Sequence, residues 1–155
     1  MNNHHISFEF FPPKTSEGKG KLLDVHRKLS KLQPEFFSVT YGAGGSTKEL
    51  TRDFVLEIEA TGSIAVPHLS VCENDKSQLL QLLHDYKEAG IKKIVALRGD
   101  IPSGVGGTKQ LIHANELVSY VRKNFGDSFE ILVAAYPEIH PEAESYEKDI
   151  YWLKK

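Results

Sequence analysis

Side chains able to transfer protons or hold ligands lie at or just after the ends of five short apolar segments of the chain. A carboxylate near an imidazole can act in general acid–base catalysis, or the two can bind a metal ion together. The side chains in question are Glu9, Thr40, Tyr41, His68, Arg98, Asp100, Tyr136 and His140. The segments recur at intervals of about thirty residues, the length of one βα unit. This recurrence indicates that a repeated structural unit positions the polar groups.

The apolar segments are typical of β-strands, because they are short and rich in β-branched and aromatic residues. They lie at about residues 5–11, 35–40, 63–69, 92–97 and 129–135, and a stretch of helical period follows each of them. The sequence therefore predicts the order βαβαβαβαβα. The segments KKIVALR and FEILVAAY are apolar on both faces, which favours a parallel sheet covered by helices.

Each predicted helix has helix signals and an apolar face that should cover the sheet. Starts are predicted at Thr15 or Ser16, at the capping-box pair Ser46 and Glu49, and after Asn74; ends are predicted near Leu32 and at Gly62, Gly90 and Gly126. The predicted apolar faces are Leu22, Val25, Leu29 and Leu32 in the first helix, Leu50, Phe54 and Ile58 in the second, Ala114, Leu117, Val121 and Phe125 in the fourth, and Tyr146, Ile150 and Leu153 in the fifth.

A repeated βα unit without a break in composition predicts a single α/β domain over residues 1–155. Two architectures contain such units, the doubly wound open sheet and the (β/α)8 barrel of the TIM type. A barrel brings every strand end to one face, whereas an open sheet binds ligands mainly where the strand order reverses. Since every strand end carries a polar side chain, we expect a TIM-barrel-type fold truncated after about five βα units.

The length of the chain bears on whether such a barrel can close. Barrels of this type usually need about 250 residues, and the sequence has 155. We therefore expect an unclosed barrel with unpaired strand edges. This expectation describes a fragment, completed by a missing C-terminal part, or a chain that self-associates into a homo-oligomer.

Charge and composition exclude several classes of partner. Nineteen Lys and Arg stand against 21 Asp and Glu, a net charge of -2, which gives no reason to expect nucleic acid or an anionic membrane. Cys72 is the single cysteine, so an intrachain disulfide is impossible and a reducing compartment fits. The N-terminus lacks the pattern of a signal peptide, and no stretch has the length of a membrane span. We expect a cytoplasmic protein with small-molecule ligands.

Five segments of the chain resemble, in the same order, motifs of the methylenetetrahydrofolate reductase family. They are SFEFFPPKTSE at 7–17, SVTYGAGGST at 38–47, VPHLS at 66–70, IVALRGD at 94–100 and AAYPEIHPEA at 134–143. The resemblance extends over essentially the whole chain from Ile6, while the later strands of the family's barrel have no counterpart. It implies a flavoprotein oxidoreductase of one-carbon metabolism and methionine biosynthesis. The implied FAD accepts hydride from NADH or NADPH and passes it to 5,10-methylenetetrahydrofolate, which becomes 5-methyltetrahydrofolate.

The resemblance implies two catalytic carboxylates that also contact the folate. Glu9 matches the family's proton donor, which would open the five-membered ring of the folate. Strand alternation places Glu9 on the face opposite Phe8 and Phe10, and burial of that face inside a barrel would favour the protonated carboxyl. Asp100 matches an aspartate near the flavin and the pterin, where a carboxylate opposes the build-up of negative charge on the reduced flavin.

The resemblance also implies a set of flavin contacts. They are Thr40, Tyr41, Ala43, His68, Arg98, Gly99, Asp100, Ala114, Tyr136, His140, Ala143 and Asp149. Gly99 would allow close approach of the backbone to the flavin ring, and Arg98 would contact polar groups of the cofactor. Pro137 and Pro141 stiffen the loop that carries Tyr136 and His140.

Two other functions remain open at this stage. A metal-dependent barrel hydrolase or aldolase would use Glu9, His68, Asp100 and His140 as ligands, although no His-x-His pair supports it. A truncated, non-catalytic subunit is the other. The lost strands of the family's barrel carry further folate and nicotinamide contacts. We therefore expect partial retention of FAD binding and weak or no turnover by this chain alone.

Overall fold

The computed structural model describes residues 5–41, 45–70, 76–98 and 113–154, with the backbone alone for residues 45–48. Five strands alternate with five helices, as the sequence predicts. The strands are β1 (Ser7–Phe10), β2 (Phe36–Val39), β3 (Ala65–Ser70), β4 (Lys93–Leu97) and β5 (Glu130–Val133). The helices are α1 (Ser16–Leu29), α2 (Gly45–Ala60), α3 (Lys76–Glu88), α4 (Ala114–Phe125) and α5 (Tyr146–Leu153), and a 3-10 turn (Ser30–Leu32) extends α1.

The strands form one parallel sheet in the order β1-β2-β3-β4-β5. Crossovers between parallel strands are right-handed, so an order that never reverses places the connecting helices on one face of the sheet. A doubly wound sheet reverses its order and has helices on both faces. The sheet is therefore singly wound, the arrangement that a barrel requires, and among the described strands the switch point of a doubly wound sheet is absent.

The register divides the strand residues between a helix-covered face and an open face. Glu9 pairs with Ser38, Ser38 with Val66, and His68 with Val95, which places these five side chains on the open face. The alternate residues point toward the helices. They form one core with helical side chains and comprise Phe10, Phe37, Val39, Ala65, Leu69, Ile94 and Ala96. Polar chemistry and core packing are thus on opposite faces of the same strands.

The buried face of α1 differs from the predicted one. Val25 is 42% exposed and Leu32 is 59% exposed, whereas His26 is 1% exposed. The His26 ring packs 4.5 Å from the Phe37 ring, and its Nε2 lies 3.1 Å from the Ser63 hydroxyl. A histidine takes the core position because its ring has an aromatic neighbour and its nitrogen a hydrogen-bond partner.

Helix boundaries agree with most of the predicted signals. The α1 cap is confirmed, since the Thr15 hydroxyl accepts a hydrogen bond from the Gly18 N–H at 3.0 Å. Gly62 and Gly90 follow α2 and α3 with φ of 85° and 90°, a conformation that glycine adopts without steric cost. The predicted Ser46–Glu49 capping box rests on a side chain outside the described part. No described helix is long and apolar enough to cross a membrane.

Helix α5 forms as predicted, but its apolar face is not buried in the core. Tyr146 is 52% exposed, Leu153 is 49% exposed, and no residue of α5 is buried. Ile150, Tyr146 and Leu153 instead line a hollow between α4, α5 and the ends of β4 and β5. The face was predicted from periodicity, which specifies the side of the helix but not the packing partner.

Candidate active site

Glu9 and His68 come together on the open face of the sheet. Strand β2 separates β1 from β3, yet the His68 Nε2 lies 3.6 Å from the Glu9 Oε2. The small Ser38 side chain stands between them in the register, where a bulkier residue would keep the strand partners apart. The distance exceeds that of a normal hydrogen bond, so the contact is electrostatic. Acid–base chemistry predicted from residues 59 positions apart in sequence thus has a shared location.

The two members of this pair differ in burial. The His68 side chain is 11% exposed, and burial lowers its pKa below the ordinary value of 6.5, partly offset by the negative charge of Glu9. The Glu9 side chain is 53% exposed to solvent. The enclosure of Glu9 was expected only inside a closed barrel, and the five described strands leave its side chain accessible. His68 is neutral near pH 7 and can donate or accept one hydrogen bond at each nitrogen.

Burial of His68 and His26 predicts a loss of stability in mild acid. Burial is the main cause that lowers both pKa values below 6.5, and the Arg27 charge lowers that of His26 further. The two histidines bind protons near pH 6.5 in the unfolded chain but only at lower pH in the folded chain. The free energy of unfolding that they contribute is therefore fully present above pH 6.5 and decreases as the pH falls below it. Each histidine adds a slope of up to about 1.4 kcal/mol per pH unit.

Urea unfolding at pH 7.5, 6.5 and 5.5 measures this effect. We expect a smaller free energy of unfolding at pH 5.5 than at pH 7.5. The double variant His26→Asn/His68→Asn should show a flatter profile over the same range. Equal unfolding free energies of the wild-type chain at all three pH values would contradict the assignment.

Thr40 and Tyr41 follow the carboxyl end of β2, beside this pair. The Thr40 N–H donates to the Phe10 carbonyl at 2.9 Å, which continues the β1–β2 pairing past the strand end. Tyr41 is half-buried. Tyr86 of α3 is 1% exposed, and this burial raises the pKa of its hydroxyl well above the ordinary value. The backbone pairing of Thr40 with β1 thus anchors the start of the segment that carries the two predicted contacts.

Six of the predicted cofactor residues line the hollow between α4 and α5, which has a volume of about 1000 Å³. They are Arg98, Ala114, Tyr136, His140, Ala143 and Asp149. Trp152 also lines the hollow. The resemblance to the reductase family implies a polar side chain at this position, so the tryptophan is a departure from the family pattern. This volume is at the upper end of the range for small-molecule binding pockets, so the hollow can hold a ligand larger than a mononucleotide. Glu9 and His68 are not among its lining residues.

The loop between β5 and α5 is held by hydrogen bonds among the predicted residues. The Asp149 Oδ2 accepts from the His140 N–H at 2.9 Å, and the Tyr136 ring packs edge-on against the His140 ring at 4.8 Å. The Ser145 hydroxyl caps α5 by accepting from the Lys148 N–H. Asp149 therefore links the loop to the first turn of α5. Its position in the sequence alone would be equally typical of a solvent-exposed charge on a helix.

Glu142 was missed in the sequence and contacts two of the predicted residues. Its carboxylate forms a two-pronged ion pair with the Arg98 guanidinium, with the second contact, from Nη2 to Oε1, at 2.9 Å. Its N–H donates to the His140 Nδ1 at 3.1 Å. The partners Arg98 and Glu142 are 44 residues apart, so no local pattern indicates the pair. The only available signal is that opposite charges follow two neighbouring strands.

Three predicted contacts, Ala43, Gly99 and Asp100, lie outside the described residues. The metal-site alternative needs Asp100 in addition to Glu9, His68 and His140. Among residues 5–41, 45–70, 76–98 and 113–154, no three His, Cys, Asp or Glu side chains are placed to hold an ion. The described part of the site offers acid–base groups, aromatic rings and hydrogen-bond donors.

Comparison with known proteins agrees with this chemistry. The family model for methylenetetrahydrofolate reductase matches residues 1–155. The 5,10-methylenetetrahydrofolate reductase of Pectobacterium carotovorum subsp. carotovorum is 46% identical over 151 residues, which are 97% of this chain and 49% of that relative. The enzyme of the same name from Escherichia coli (strain K12) is 44% identical over 152 residues, 97% of this chain and 50% of the relative.

A plant relative is more distant. Methylenetetrahydrofolate reductase (NADH) 1 of Arabidopsis thaliana is 36% identical over an alignment 164 residues long, which covers 97% of this chain and 28% of the relative. The chain spans about half the length of the bacterial relatives. Since the family model matches from the first residue to the last, the chain belongs to the methylenetetrahydrofolate reductase family.

Proposed function

We propose that the chain supplies the FAD-binding and proton-donating part of a flavin-dependent reductase that converts 5,10-methylenetetrahydrofolate to 5-methyltetrahydrofolate with NADH or NADPH. The observation that carries the proposal is the approach of Glu9 to His68 on the open face of a singly wound sheet, in a chain that matches this family throughout. We propose further that residues 1–155 are part of one (β/α)8 barrel domain, since the unreversed strand order is that of a barrel.

The residues of the α4–α5 hollow fit a flavin dinucleotide. Arg98 and the donors of the β5–α5 loop suit its polar groups, and the Tyr136 and His140 rings offer aromatic faces and edges. Thr40, Tyr41, Ala43, His68, Gly99 and Asp100 complete the proposed set near the strand ends. When bound, FAD carries hydride between the nicotinamide and the folate. The chain itself contributes binding, orientation and the proton.

Glu9 is the proposed general acid, and Asp100 the second catalytic carboxylate. Protonation of the bridged folate by Glu9 opens its five-membered ring and leaves an iminium carbon that accepts hydride. The neighbouring His68 is neutral near pH 7 and does not compensate a Glu9 carboxylate with a full positive charge.

Flavin binding tests the cofactor part of the proposal. Titration of the purified chain with FAD should quench flavin fluorescence with one site per chain and shift the flavin absorbance. The variant Tyr136→Ala should weaken FAD binding about tenfold, equivalent to about 1.4 kcal/mol, because it removes an aromatic wall of the hollow. Leu32→Ala is the control, since Leu32 is 59% exposed, comparable to the 52% of Tyr136, and does not line the hollow.

Two results would contradict this part. One is a wild-type chain that leaves FAD spectra unchanged at a large excess of protein. The other is an equal loss of affinity in Tyr136→Ala and Leu32→Ala, which would show that the hollow is not the binding site.

Location and assembly belong to the same proposal. We propose a cytoplasmic enzyme with folate and nicotinamide as small-molecule partners, consistent with a single cysteine and a net charge of -2. Self-association or completion of the barrel by further chain would cover the β1 and β5 edges of the described sheet. The metal-dependent alternative is disfavoured by the family match, which covers the whole chain.

A further inference from the structure

The Arg98–Glu142 pair joins two parts of the candidate cofactor site that the chain itself keeps apart. Arg98 directly follows β4, and Glu142 lies in the loop between β5 and α5. The two-pronged geometry fixes the plane of the guanidinium as well as its position. The contribution to stability is small, because the side chains are 36% and 63% exposed. The pair is therefore better suited to orientation than to holding the fold together.

Glu142 also fixes the neighbouring histidine. Its N–H donates to the His140 Nδ1, which can accept only if that nitrogen carries no proton. The neutral ring then has its proton on Nε2, as a donor. The backbone of the same histidine is held by Asp149, and its ring by Tyr136. One residue thus contacts the arginine through its side chain and the imidazole through its main chain.

We propose that Glu142 is a positioning residue of the cofactor site, which holds the Arg98 guanidinium in a fixed plane beside a His140 ring that presents its Nε2–H. This inference rests on the proposed function for the identity of the ligand, a flavin dinucleotide. Glu142 stays ionised over the working range, since the hydrogen bond and charge of Arg98 lower its pKa below the ordinary value. A preformed donor pair reduces the entropy that binding would otherwise cost.

The ligand-free chain gives the first test. Nitrogen-15 NMR of the guanidinium, assigned by the loss of signals in Arg98→Lys, reports rotation of the Arg98 side chain. We expect slow rotation with separate Nη signals in the wild type and averaged signals in Glu142→Gln. The control Glu138→Gln removes the same charge from the same loop and should keep the slow rotation. Unaltered Arg98 signals in Glu142→Gln would overturn the proposal without any reference to flavin.

A titration with FAD gives the second test. We expect Glu142→Gln to weaken FAD binding about tenfold, or about 1.4 kcal/mol, and Glu138→Gln to change it less than twofold. If Glu142 acts through Arg98, the double variant Arg98→Gln/Glu142→Gln binds no more weakly than Arg98→Gln alone. Additive losses would overturn the positioning role. Thermal unfolding checks that the variants fold, since changes at such an exposed position stay within about 0.5 kcal/mol.

Failure of the proposed function has a different signature. A wild-type chain that does not bind FAD, yet shows slow Arg98 rotation that Glu142→Gln abolishes, would refute the flavin assignment. It would leave Glu142 as the residue that fixes Arg98 at this hollow. Fast rotation in the wild type would refute the positioning role whatever the flavin result.

Discussion

Replacing Glu9 by glutamine is expected to slow the transfer of reducing equivalents to methylenetetrahydrofolate by about 10²–10⁴-fold, the contribution of a positioned general acid. The amide has nearly the shape of the carboxyl group but has no acidic proton to give. Binding of FAD should change less than twofold, because glutamine has nearly the size of the Glu9 side chain and leaves its neighbour His68, a proposed flavin contact, in place. The loss therefore falls on the proton-dependent step.

A single-turnover measurement isolates that step. The FAD-loaded chain is reduced with light, mixed anaerobically with methylenetetrahydrofolate, and followed by flavin absorbance as the oxidised spectrum returns. Glu17→Gln is the control, since the Glu17 side chain is 79% exposed on α1, remote from the open face. A Glu9→Gln rate equal to that of wild type would remove Glu9 from the mechanism. Since weak or no turnover is expected of residues 1–155 alone, the comparison is repeated in a chain that carries the whole proposed (β/α)8 barrel, where a wild-type protein that stays reduced would refute the folate assignment.

Replacing Phe37 by alanine is expected to lower the free energy of unfolding by about 3–5 kcal/mol. Phe37 is 1% exposed, and its ring lies 5.8 Å from Phe8, 5.4 Å from Phe10 and 4.5 Å from His26. It thus joins β1, β2 and α1. Alanine leaves a cavity among stiff aromatic rings that cannot close around it, so the cost should lie at the upper end of the range for core truncations.

Urea unfolding followed by circular dichroism measures this loss, with the slope against urea as a check that the unfolded state is unchanged. Phe11→Ala is the matched control. The Phe11 ring is 74% exposed, and its removal should change stability by no more than about 0.5 kcal/mol. A Phe37→Ala chain within 1 kcal/mol of wild type would contradict the packing described for β2.

The strand and helix order could be predicted from the sequence because period and end signals are local. Gly62 and Gly90 mark helix ends by their own backbone preference, and β4 is apolar enough to indicate burial. His26 could not be predicted as a core residue, since its burial depends on Phe37 and Ser63, which lie in other elements. Periodicity favoured Val25 because hydrophobicity was the only guide.

The candidate site divides in the same way. The approach of Glu9 to His68 follows from strand order and register, and a repeated βα unit makes both foreseeable. The exposure of Glu9 was not foreseeable from strand alternation, which gives the face but not what covers it. Glu142 could not be predicted, because its partner Arg98 is 44 residues away in sequence and follows the neighbouring strand. Nothing in the described structure tests Asp100, so its role remains a proposal.

The unreversed strand order also determines how the chain unfolds. Each βα unit pairs only with the unit before and the unit after it, as in a linear array of repeats, so the free energy of folding is distributed over successive junctions. The last unit, β5 with α5, contributes no buried residue of its helix to the shared interior. The helix α5 is therefore held less firmly than β5, which stays paired with β4, so a ligand in the aromatic-lined hollow would stabilise the position of this helix.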